Sequence, residues 1–154
     1  MNSRFAVAVH ILTLLEKSGG KPVTSERMAG SINTHASLVR RMLGTLAASG
    51  LTTSQMGAGG GALLARAAST ITLGDVYRAV QAGELFRLPG EQPNPMCPVG
   101  RNIQAALSIH FSNGERALEQ ELSRSTIADV LNSVGAQEAQ RSQTGGETAR
   151  LLDI

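Results

Sequence analysis

The sequence predicts a mainly α protein: a winged helix-turn-helix with a two-stranded β wing and a long C-terminal dimerisation helix. Three stretches predict it. Residues 24–46 hold a capped short helix, a tight turn and a second helix bearing adjacent arginines. Residues 51–66 form a glycine-tipped hairpin directly behind that helix, and apolar positions recur at helical spacing from Val99 to Leu122.

The opening helix runs over residues 3–17, with Phe5, Val9, Leu12 and Leu15 on or near one face and Gly19-Gly20 ending it. It closes the core against the helix pair, and Arg4 near its start is placed to touch phosphate. His10 lies on a mainly apolar helix with no second His, Cys or carboxylate at metal-ligand spacing, so it reads as a core or interface histidine and no metal site is expected.

Thr24 caps the next helix and Glu26 sits in its first turn, where a negative charge suits the helix dipole. Met28, Ala29 and Ile32 follow at helical spacing. The turn formers of residues 31–34 stop this helix and offer a fresh cap at Thr34, so the two helices must cross steeply. In the second helix Leu38, Met42, Leu43 and Leu46 make one apolar face, which leaves Ser37, Arg40, Arg41 and Thr45 free for a partner.

Such a helix fits the DNA major groove, where its first turns bring side chains to base edges. The contact candidates are Thr24, Thr34, His35, Ser37, Arg40 and Arg41. Arginine makes bidentate contacts with guanine, while hydroxyls and backbone N–H groups hold phosphates and set the register. One of Arg40 and Arg41, not both, is expected to read a base; the bland alternative for both is an ordinary solvated face.

Gly50 ends this helix as a left-handed cap, residues 51–55 alternate as an edge strand, Gly57 and residues 59–61 form the tip, and Leu63-Leu64 return with Arg66 near the base. The tip carries neither Arg nor Lys, so Gly59 and Gly60 are assigned backbone contacts to phosphate, and Arg66 a contact near the wing's foot. Thr72 and Asp75 then make a capping-box pattern for a helix through about Gln81 that buries Val76 and Val80.

Four prolines in residues 88–98 exclude a continuous helix there. Leu85 and Phe86 serve as packing anchors or line a small effector pocket. From Val99, residues Ile103, Leu107, Phe111, Leu118 and Leu122 recur at the spacing of one long amphipathic helix, a pattern broken only by Asn113-Gly114; a break of the helix itself there would weaken the dimer reading. Few residues remain to cover it within one chain, so pairing with a second copy is the economical solution. Ser125 or Thr126 starts another short helix with Ile127, Val130 and Leu131, and the polar, Gln-rich end reads as a frayed or disordered tail until Leu151-Leu152. The expected organisation is thus a DNA-binding domain at 1–83, a linker loop at 84–98, a helical dimerisation region at 99–134 and a tail at 135–154.

Several of these stretches resemble the Rrf2 family of bacterial winged-helix transcription regulators, the superfamily of IscR and CymR, and within it the YwnA-like branch. The resemblance rests on residues 3–12 (SRFAVAVHIL), Val39-Arg40-Arg41-Met42-Leu43, the wing from Gly57 to Leu64, residues 71–80 (ITLGDVYRAV) and residues 94–104 (NPMCPVGRNIQ). It covers roughly the first 134 residues. It implies dimerisation through long helices in the C-terminal region. Iron-sulfur members carry three clustered cysteines after the wing; here Cys97 stands alone, so the cluster is not carried over and no cofactor is expected.

Cys97 precedes Pro98, which is favoured at the first helical position, so its thiol falls at or beside a helix N-terminus where thiolate is stabilised. A redox switch through sulfenic acid or a disulfide to a partner subunit is one reading. A buried, chemically silent thiol is the favoured one. An enzyme using Cys97 as nucleophile lacks a base, because His10, His35 and His110 lie on predicted helices with no motif linking them to it.

The 154 residues, 42% hydrophobic, suffice for one domain plus an extension. No stretch is apolar enough to span a membrane, no signal-peptide pattern opens the chain, and one cysteine suits the cytoplasm. Residues 1–66 hold seven Lys or Arg against two acidic residues, whereas residues 67–154 hold seven against ten, which confines attraction to phosphate to the front half. The expectation is a sequence-specific regulator, a repressor acting as a homodimer on double-stranded DNA over an imperfect palindrome, open to a small-molecule or oxidant effector. The alternative is a winged-helix protein-interaction module without a specific DNA site.

Overall fold

The computed structural model describes residues 3–151 apart from 82 and 84. The linker's first residue and the tail's last three, Leu152 among them, lie outside the described residues.

The elements follow in the order α1 (Ser3–Lys17), α2 (Ser25–Ile32), α3 (Ala36–Ala48), β1 (Thr52–Gln55), β2 (Gly61–Leu64), a 3-10 turn (Ala68–Thr70), α4 (Leu73–Val80), α5 (Gly100–Leu122) and α6 (Ile127–Leu151). The predicted mainly α winged-helix fold, with its two-stranded wing and long C-terminal helix, is the observed one. Helix α1 buries Ala8, Ile11, Leu12 and Leu15, and these meet Met28 of α2, Val39 and Leu46 of α3, Leu51, and Val76 of α4 in one core. Thr13 is buried in the same helix at no cost in unmet polarity, since its hydroxyl donates to the Val9 carbonyl at 2.8 Å.

The caps explain where the helices begin. Thr24 Oγ1 accepts from the Arg27 backbone N–H at 3.3 Å, as its residue type predicts. Asn33 then adopts a left-handed conformation (φ 58°, ψ 55°), tolerated by Asn better than by other non-glycine residues, and stops α2. The expected cap at Thr34 is corrected: His35 is the extended residue preceding α3, and its carbonyl accepts from Leu38 and Val39. Asn33 uses up the first residue of the turn, so the chain needs one more before it can enter a helix. Gly50 takes the left-handed position behind α3 (φ 69°), and Thr72 and Asp75 form the predicted reciprocal capping box, both bonds at 3.0 Å.

Helix α5 is the long helix expected, unbroken at Asn113-Gly114, while two other features depart from the sequence expectation. Gly114 lies beneath a ring of the linker: a Cβ there would stand 3.4 Å from Phe86 Cε2. Ile127, expected in a short helix packed on the dimer region, is fully buried in the winged-helix core; its N–H donates to the Ile71 carbonyl at 2.9 Å, and the Leu73 N–H donates to Ser125 at 2.8 Å. The chain therefore returns to the DNA-binding unit after α5. Finally, the segment expected to be a disordered tail is helical to Leu151. It lacks proline and is rich in Ala, Gln, Glu and Arg, which favour helix whether or not an apolar face exists to pack. Its polarity reported a missing core partner, not a missing helix.

Candidate nucleic-acid interface

Helix α3 turns Val39, Met42 and Leu46 into the core, which leaves Ser37, Arg40 and Arg41 exposed together three and four residues apart. His35 is exposed just before them and Thr34 is half-buried in the turn. The two arginines diverge, because adjacent residues on a helix point about 100° apart. Arg40 reaches α2, where its guanidinium donates to the carboxylate of Glu26. Arg41 faces the other way, onto a groove of about 310 Å³ that it lines with Ser3, Arg4 and Val7 of α1 and with Leu38 and Met42. Arg41 has no carboxylate partner among the described residues. Glu26 titrates below the usual carboxylate range, held there by a backbone N–H of the first turn and, against some desolvation, by Arg40.

The wing follows directly. Strands β1 and β2 pair antiparallel from Thr52↔Leu64 to Gln55↔Gly61. Gly57 (φ 93°) and Gly59 (φ 74°) supply the left-handed residues of the tip, and a Cβ on Gly60 would sit 2.2 Å from the Gln55 carbonyl oxygen. The root is tied to the front of the domain: the Val23 N–H donates to the Ala62 carbonyl at 3.0 Å and the Ala62 N–H returns to Val23 at 2.9 Å. A Cβ on Gly61 would stand 2.6 Å from the Val23 oxygen, so this glycine is required by close approach of two backbones. Val23 as a strand partner is not legible in sequence, since a single bridging residue carries no period.

The remaining candidates fall at the edges. Thr24 and Arg4 are exposed at the N-termini of α2 and α1 respectively. Arg66 is exposed at the wing's foot, where it donates to the Thr70 carbonyl and to Asp75 Oδ2, the latter at 3.0 Å. Glu26 was legible only as a dipole-suited residue in a first turn; its role as the partner of Arg40 depends on how α2 and α3 cross.

On α5, no residue is fully buried. Ile103 is 36% exposed, and Leu107, Leu118 and Leu122 are half-buried. Phe111 stacks on Phe86 with ring centroids 4.9 Å apart, and Glu115 accepts from the Leu85 N–H at 2.7 Å. Gln104 donates to the Pro89 and Glu91 carbonyls, both at 3.2 Å, so the linker lies along this helix. Near the far end Glu119 pairs with Arg78 of α4 at 3.5 Å. Cys97 is exposed, which corrects the expectation of a buried thiol: its loop lies outside the core and nothing packs over it. Its carbonyl accepts from Arg101 at the start of α5, but Pro98 does not take the first helical position, since the helix begins at Gly100 behind Val99.

Among the described residues no helix is long and apolar enough to cross a membrane, and no three His, Cys, Asp or Glu side chains are grouped to hold a metal ion.

Comparison with known proteins agrees with this geometry. The model of the family Rrf2, described as an iron-dependent transcriptional regulator, matches residues 1–133. YwnA of Bacillus subtilis (strain 168), named as a helix-turn-helix type transcriptional regulator, is 44% identical over 132 residues, which span 86% of this chain and 97% of the relative. A crystal structure described as that of a DNA-binding protein is 40% identical, covers 84% of this chain and 99% of its own, and superposes with a TM-score of 0.69. CymR, the global cysteine regulator of B. subtilis, shares the fold at 22% identity, with a TM-score of 0.64 over 86% of this chain and 96% of its own. The iron named in the family description does not fit the donors of this chain as an iron-sulfur cluster. Such clusters are held chiefly by cysteine thiolates, and Cys97 is the chain's single cysteine, so even two copies bring only two.

Proposed function

The chain belongs to the Rrf2 family and is a DNA-binding transcription regulator, not an enzyme; from that premise we propose that it acts as a homodimeric repressor that reads an imperfect palindrome. Each α3 enters a major groove, the two lying about 34 Å apart along the duplex. Arg41 carries the base contact. The observation behind this choice is that Arg41 is exposed on the α1 side of α3 with no carboxylate beside it among the described residues, whereas Arg40 is engaged by Glu26.

Thr34, His35, Ser37 and Thr24 set the register through phosphate contacts, Arg4 extends the same track from α1, and Gly59 and Gly60 bring wing backbone to the neighbouring phosphates. Arg66 serves this surface indirectly by bracing the wing's foot. The second copy packs on α5 around Ile103 and Leu107, beside Gln104, which holds the linker. Repression follows from occupying promoter DNA against polymerase in the cytoplasm. A small-molecule or oxidant input acts through the linker and α5, changing the separation of the two α3 helices by a coupling free energy of roughly 1 to 3 kcal/mol.

The test is fluorescence anisotropy of the full chain with DNA from upstream of its own gene and with scrambled DNA, across a salt series. Selective binding that weakens steeply with salt is the expected result. Equal, weak binding to both sequences would overturn it.

A further inference from the structure

Glu26 is one of two acidic residues among the first 66, and it stands against the DNA-reading helix. An anion there opposes binding to phosphate unless it has another task. Its carboxylate accepts from the Arg40 guanidinium, and the side chains of the pair are 62% and 60% exposed, so the pair lies at the protein surface where α2 meets α3 instead of inside the fold. A pair so exposed contributes little to stability. Its effect is on charge: while Arg40 is paired, it contributes no net cation to the release of counterions from DNA. Arg41 remains the unpaired cation of α3 on the opposite side of the ridge.

We propose that Glu26 is a specificity-determining residue that holds Arg40 on the α2 side of the recognition helix and withholds it from the phosphate backbone. Non-specific affinity is thereby kept low, and the contact made by Arg41 decides where the protein rests. This rests on the DNA-binding reading above.

A set of four full-length proteins tests it: wild type, Glu26→Gln, Arg40→Gln and the double variant, each checked for fold by circular dichroism. Binding is measured by anisotropy on scrambled and own-promoter duplexes from 50 to 200 mM salt. Glu26→Gln is expected to bind scrambled DNA more tightly, with a log–log salt slope steeper by about 0.9, so that its advantage over wild type grows about threefold as salt falls across that range. The ratio of own-promoter to scrambled affinity falls. In the Arg40→Gln background the same substitution is expected to leave the slope unchanged.

An unchanged slope in Glu26→Gln overturns the proposal, and so does an equal increment with Arg40 absent, which would mean that Glu26 merely repels phosphate by itself. Glu26→Ala serves as a second variant of the same position. The slope is read on scrambled DNA, so a wild type without selectivity would overturn the repressor reading while the slopes still decide the role of Glu26.

Discussion

Asp75, the capping-box partner of Thr72 at the start of α4, accepts from the guanidinium of Arg66 at the foot of the wing, Nη2 to Oδ2 at 3.0 Å. The same carboxylate accepts from Arg78 at 2.7 Å and from the Thr72 backbone N–H, and Arg78 reaches on to Glu119 of α5. One side chain thus joins a helix start, the wing and the long helix.

This arrangement predicts an acid-sensitive component of stability. Burial works to raise the Asp75 carboxyl, but the Thr72 N–H and the two arginines outweigh it and hold the group below its usual range. A depressed folded pKa adds stability that is fully present above the unfolded carboxylate value, about 4, and is lost as pH falls through the lower folded value. In urea melts Asp75→Asn is expected to be less stable than wild type at pH 7 by about 1 kcal/mol, the usual cost of a lost cap. The gap should narrow as pH falls below about 4; a gap independent of pH would show that charge on Asp75 does not matter.

Arg41→Ala removes the base contact assigned above and leaves the core face of α3 intact. Selective affinity should fall by about 1 to 3 kcal/mol, with little change on scrambled DNA. Thermal melting should not move. A drop in melting temperature instead would place Arg41 among structural residues that line the groove with α1.

Gly61→Ala forces a Cβ to within 2.6 Å of the Val23 carbonyl oxygen. Because backbone stands on both sides, neither can yield without breaking the Val23–Ala62 bridge. The expected loss is about 1 to 3 kcal/mol, the range for overpacking, read by denaturant melts. Faster amide exchange at Val23 and Ala62 would locate it.

Ile103→Asp puts a charge on the exposed apolar stretch of α5. If the second copy packs there, sedimentation should show a monomer at concentrations where wild type is a dimer, with unchanged helical content and weakened promoter binding. A variant that stays dimeric would move the interface elsewhere. Phe111 makes a poorer test, since its ring already stacks on Phe86 of the same chain.

Local chemistry made much of this protein legible in sequence. Thr24, Gly50 and the Thr72–Asp75 box marked helix ends because capping depends on residues one to three positions apart, and the glycine tip marked the wing because only certain residues take its backbone angles. Apolar spacing likewise placed Leu12, Leu15, Met42 and Leu46 on core faces. The pairing of adjacent arginines was a different matter. Sequence supports only the expectation that one of Arg40 and Arg41 reads a base; the partner of Arg40 lies fourteen residues away, and only the crossing of α2 over α3 brings Glu26 to it. The burial of Ile127, the exposure of Cys97 and the linker laid along α5 are of the same kind. Each depends on where distant segments meet, and periodicity within a segment carries no information about which neighbour will cover it.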